Sequence, residues 1–135
     1  MKLPRDHAET LLKKAANDLI AADAILSTER ALDTACFHTQ QAVEKSLKAI
    51  LAYHDIEYPW RHDLGELLKL VIPLAPDIAP LADQVLGMTP YAVEIRYNDE
   101  FDPGLVEAGR ALSLAIQVYQ TSAATIGVND MEWDR

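Results

Sequence analysis

The sequence predicts an all-α fold, an antiparallel up-and-down bundle of four to five helices. Three observations predict it. Apolar residues recur at alternating spacings of three and four over three long stretches, the period of a helix with one buried face. No run alternates apolar and polar residues for more than a few positions, as a half-buried strand would. The chain has 135 residues, half of them apolar and only five of them glycine, which suits one packed domain. The domain is read as the whole of 1–135, with its core over about 8–126 and a tail, 128–135, expected to fray.

The first stretch places Ala8, Leu12, Ala15, Leu19, Ala22 and Leu26 on one face. Asp6 reads as its N-cap, with Glu9 three residues later, and the helix runs to about Ser27. After the polar break Ser27-Thr28-Glu29-Arg30 comes a second helix, about Ala31 to His54, free of Pro and Gly. Its apolar face is Leu32, Ala35, Cys36, Thr39, Val43, Leu47, Ile50 and Leu51. So short a link makes the two helices antiparallel neighbours.

Pro59 breaks the following loop, and Asp63 caps a third helix with Leu64, Leu67, Leu68, Val71 and Ile72 inward, stopped at Pro73. Pro76 and Pro80 leave room for a short helix over 77–87, closed by Gly87. Thr89-Pro90 opens a short helix through Tyr91, Val93 and Ile95, and Asp102-Pro103 repeats that start signal. The last long helix carries Leu105, Ala108, Leu112, Ala115, Tyr119, Ser122 and Ile126 on one face and ends at Gly127.

Composition narrows the function classes. The one cysteine, Cys36, excludes an intrachain disulfide, and it reads as a buried structural thiol on the apolar face of the second helix. The N-terminus has no apolar segment of a secretory signal and no stretch approaches a membrane span, so a cytoplasmic protein with no membrane association is expected. The net charge of −9 argues against a general nucleic-acid binder. The charge is uneven: residues 1–69 carry a net of −2 and residues 70–135 a net of −7, so any basic surface comes from the first half.

His7, His38, His54 and His62 do not pair at metal-ligand spacing, and the phosphate-cradling glycine motifs are absent, so no metal and no cofactor are expected. Three polar clusters are candidates. On the second helix, His38, Gln41, Lys45 and Lys48 share one stripe that suits phosphate or an acidic partner; the plainer reading is a solvated face with Glu44 pairing Lys48 at i,i+4. His62 precedes the cap Asp63 at a helix start, where anions bind, or is an exposed loop residue. Arg96-Tyr97-Asn98-Asp99 offers an arginine suited to a phosphate, though the carboxylates around it satisfy such a group equally well.

The run Gln40-Gln41-Ala42-Val43-Glu44-Lys45-Ser46-Leu47-Lys48-Ala49-Ile50-Leu51 resembles the long helix of HEPN-domain proteins. His62-Asp63-Leu64 resembles the family's start of the next helix, and Tyr91 to Tyr97 its Arg-Tyr segment before the last helix, in the same order and spacing. The resemblance covers roughly residues 8–126 and implies an antiparallel bundle, a homodimer, and association with a small nucleotidyltransferase in toxin–antitoxin pairs. It implies nucleotide, RNA or partner contact at Arg96, Tyr97, Asn98, His62, Lys45 and Lys48.

Many HEPN proteins are metal-independent ribonucleases that use an Arg followed, after four to six residues, by a His. The His moves a proton at the 2′-hydroxyl or the leaving oxygen, and the Arg stabilises charge on the phosphate. This chain departs from that pattern. Arg96 stands at the Arg position, but Phe101, Asp102 and Pro103 fill the window, and no histidine follows His62. Arg30 does not restore the motif, because His38 is too far along. The first expectation is therefore a dimeric binding or partner subunit for a nucleotidyltransferase, and not an enzyme. The alternatives are a ribonuclease with an altered acid–base set, with Arg96 as its catalytic residue and His62 reaching it in space, and a structural helical scaffold.

Overall fold

The computed structural model describes residues 2–59, 63–92 and 99–128. The first apolar stripe forms α1 (Pro4–Ser27), which begins before the stripe does. Asp6 is not its N-cap. It lies one turn inside, where its carboxylate accepts the Leu3 N–H at 3.3 Å. Pro4 sets the start, because its ring fixes the helical φ at a position whose N–H has no partner to lose.

The link to α2 (Leu32–Tyr53) is tight. Thr28 Oγ1 donates to the Ile25 carbonyl at 2.6 Å, and Glu29 and Ala31 take left-handed φ values of 56° and 54°. At the far end of α2, Asp55 is left-handed as well (φ 57°), the Ile56 N–H reaches back to the Leu51 carbonyl and the Asp55 N–H to that of Ala52. That pair of bonds is a Schellman closure, formed without the usual glycine.

Asp63 caps α3 (Leu64–Val71) as its position suggests, accepting the Glu66 N–H at 3.1 Å. The proline-rich stretch forms a 3-10 segment, Pro76–Leu81, that runs into α4 (Ala82–Leu86). Thr89–Ala92 is one 3-10 turn, which turns Tyr91 into the core; Val93 and Ile95 lie outside the described residues, as does the tail 129–135.

The final helix, α5 (Leu105–Thr125), is capped at Gly104, so Asp102-Pro103 lies ahead of the helix and not at its first turn. Leu105 is correspondingly 43% exposed and not part of the core face. At the other end Gly127 has φ +74°, and the Val128 N–H bonds to the Ala123 carbonyl at 2.9 Å. Among the described residues there are thus five α-helices and no strand.

The helix α2 is central and packs against both α1 and α5. Small side chains repeat every seven residues on each: Ala8, Ala15 and Ala22 on α1, Ala35, Ala42 and Ala49 on α2, and Ala108, Ala115 and Ser122 on α5. All nine are fully buried. Small residues at the contact let neighbouring helices approach closely. Leu12, Leu19, Leu47, Ile50, Leu112 and Val118 fill the space between, and each such side chain contributes about 1.5–3 kcal/mol of burial. The start of α1 shares a cleft with the end of α5, whereas Cys36 near the start of α2 lies near Glu107 at the start of α5. The helix α5 therefore runs antiparallel to α1 and alongside α2. No described helix is long and apolar enough to cross a membrane.

Candidate functional site

The α1–α2 seam holds a carboxylate. Asp18 follows Ala15 and precedes Ala22 on the buried face of α1, so α2 covers it and leaves it 9% exposed. A charge so placed needs partners. Lys45 supplies one, Nζ to Oδ2 at 2.6 Å, and the His38 imidazole the other, Nδ1 to Oδ1 at 2.9 Å. The two partners are seven residues apart on α2, two helical turns, and grip the carboxylate from either side.

A second polar chain climbs α2. Gln40 is fully buried and Glu44 is 3% exposed. Gln41 Nε2 donates to Gln40 Oε1 at 2.6 Å, Gln40 Nε2 to Glu44 Oε1 at 3.4 Å, and Lys48 Nζ to Glu44 Oε2 at 3.3 Å. The Lys48 ammonium also lies 5.2 Å from the centre of the Tyr58 ring, a cation–π contact. Tyr58 in turn shares a hydrogen bond of 2.8 Å with His7 and stacks on its ring, which fastens the segment after α2 to the start of α1.

A third cluster joins α2, the Thr89–Ala92 turn and α5. The Tyr91 hydroxyl donates to Glu107 Oε2 at 2.8 Å, and its ring meets that of Phe101 at 5.6 Å. Burial pushes the Cys36 thiol up to about 12, with the Glu107 and Asp33 carboxylates adding to it. Burial, and then the bond to Glu107, raises Tyr91 well above the ordinary phenol range. The thiol is thus a poor nucleophile.

The predicted helical stripe does not act as a unit. His38 and Lys45 turn to Asp18, Gln41 turns to Gln40, and Lys48 turns to Glu44. Glu44 itself is buried and is not part of a solvated face. His62, Arg96, Tyr97 and Asn98 lie outside the described residues, and their flanks are fixed by the Asp63 cap and by Phe101 on Tyr91. Among the described residues no three His, Cys, Asp or Glu side chains gather as metal ligands.

Sequence reasoning missed Asp18 and Tyr58. Asp18 carried a signal, a lone acid at helical spacing inside an alanine stripe; Tyr58 carried none, because its partners come from other helices.

The HEPN domain model matches residues 8–125. The chain belongs to the HEPN family. Among solved structures, this HEPN chain resembles the crystal structure of TT1696 from Thermus thermophilus, with a TM-score of 0.78 and 24% sequence identity over 88% of this chain and 98% of that one. At that identity the likeness speaks to the shared bundle. No curated protein matches the chain.

Proposed function

We propose that this HEPN protein is a binding subunit, dimeric and paired with a small nucleotidyltransferase, rather than a ribonuclease. The observation that carries the reading is the fate of the basic stripe. Lys45 and Lys48, two of the nine basic residues in the less acidic half, are each spent on a carboxylate of the same chain. Neither ammonium can meet a phosphate without giving up a carboxylate of its own chain, which favours a protein partner over a polyanion at this stripe. A second observation agrees. Phe101, the first position at which the ribonuclease motif would place its histidine, is half-buried against Tyr91. The partner's identity is inferred from the family's association, and Arg96, Tyr97, Asn98 and His62 are proposed to contribute the polar contacts to it or to a nucleotide.

The test is an affinity pull-down from the native host with mass spectrometry of what co-purifies. A small nucleotidyltransferase recovered at near-equal amount supports the reading. Recovery of the HEPN protein alone counts against it.

One observation favours a nuclease reading: the His38 ring is oriented by Asp18, as a general base is in many active sites. An RNA-cleavage assay separates the two. Cleavage lost in both Arg96→Ala and His38→Gln would establish the nuclease; no cleavage by the unmodified protein would dismiss it.

A further inference from the structure

A groove opens between the end of α2 and α3. It has a volume of about 630 Å³ and is lined by Lys48, Glu57, Tyr58, Pro59, Glu66 and Leu70, a size within the range of ligand pockets. Three of these residues make apolar wall. The Tyr58 ring is held in place by His7 and Lys48, and Leu70 is 39% exposed. Ile56, two residues before Tyr58, is 37% exposed and lines the cleft beside the start of α1, which shares Glu57 and Tyr58 with the groove.

The charge of the groove is decided by pairing. Lys48 is offset by the buried Glu44. Glu57 and Glu66 are exposed, and neither carboxylate is engaged by a described residue. Among the described residues, two exposed carboxylates therefore stand over the apolar wall with no cation paired to them.

We propose that this groove receives an arginine side chain of a partner protein. The methylene stem lies on Tyr58, Pro59 and Leu70, and the guanidinium meets Glu57 and Glu66. Arginine fits better than lysine, because its planar, weakly hydrated head can serve two carboxylates at once while its stem is desolvated. Exposed Leu70 in the wall and exposed Ile56 in the adjoining cleft favour a protein over a free polyamine, since a buried arginine ringed by apolar contact is a common anchor of protein interfaces. The proposal is independent of whether the partner is a nucleotidyltransferase.

The probe is a capped pentapeptide with one arginine between two leucines, compared with the same peptide carrying neutral citrulline. Amide chemical shifts of the full chain are followed during titration. Saturable shifts are expected at Glu57, Tyr58, Glu66 and Leu70, at least tenfold weaker for the citrulline peptide and for the Glu57→Gln/Glu66→Gln double variant. That variant should keep its thermal midpoint, because α3 is capped by the Asp63 side chain on the Glu66 backbone.

Equal binding of the citrulline peptide, equal binding by the double variant, or shifts confined to other acidic residues would overturn the proposal. So would groove signals that move with protein concentration alone, which would give the site to a second copy.

Discussion

Asp18 shows how one residue redirects a surface. From the sequence, Lys45 looks like a free cation on an outward stripe, because α2 offers it no carboxylate three or four residues away, whereas Lys48 has Glu44 one turn earlier. The carboxylate that takes Lys45 lies 27 positions earlier, on another helix, and no local pattern connects the two. The Asp63 cap, by contrast, was legible because its donor is three residues away. Asp55 illustrates the same limit for the backbone. Its φ of 57° is imposed by the closure of α2, with the Ile56 and Asp55 N–H groups bonded back into the last turn. An L-residue held there is strained, and glycine is not. Asp55→Gly is expected to raise stability by about 0.5–1 kcal/mol, read as a higher urea midpoint with an unchanged slope. Gly127→Ala, at the glycine of the matching closure of α5 with φ +74°, should lower it by a similar amount. A lower midpoint for Asp55→Gly would mean that the side chain does more than sit at the turn.

At the scale of elements, the three long helices were legible, and so was the start of α2, but the starts of α1 and α5 were not. A seven-residue repeat of small residues survives any local choice of cap, and it is what brings α1, α2 and α5 together. The starts of α1 and α5 depend on Pro4 and Gly104, whose effects compete with those of Asp6 and Asp102 nearby. The junction of α2, the Thr89–Ala92 turn and α5 is held by Cys36, Tyr91 and Glu107, and it makes the fold sensitive to alkali. The folded state keeps the Cys36 thiol protonated up to about 12, whereas the unfolded chain releases that proton from the ordinary value of 9.0. Between those values the unfolded state binds fewer protons, so stability falls as pH rises. The Tyr91 phenol acts in the same sense, from its ordinary value of 10.0 upward. Cys36→Ala should therefore remove one proton from the alkaline slope, about 1.4 kcal/mol per pH unit, while leaving the slope below about pH 8 unchanged. Denaturant titrations of both proteins at about pH 8 and about pH 11 measure it; parallel pH profiles would show that the thiol is not what resists ionisation.

For the whole molecule, charge decides which partners are accessible. The net charge is −9, and the second half of the chain carries most of it. Single-stranded nucleic acid is bound largely through neutralised phosphates, and each contact adds about −0.7 to the slope of log affinity against log salt. In one chain Lys45 is already bonded to Asp18 and Lys48 to Glu44. Breaking either pair to reach a phosphate takes the ammonium away from a largely buried carboxylate, Asp18 or Glu44, which costs more than an exposed phosphate contact returns. The protein alone is therefore expected to show no saturable binding of a single-stranded RNA of about twenty nucleotides at ~0.15 M salt, and a salt slope shallower than about −1 when salt is lowered. Fluorescence anisotropy of labelled RNA measures both. A slope of about −3 or steeper would require four or more phosphate contacts. It would point to a basic groove assembled across two copies, and the RNA-directed reading would then replace the partner-subunit one.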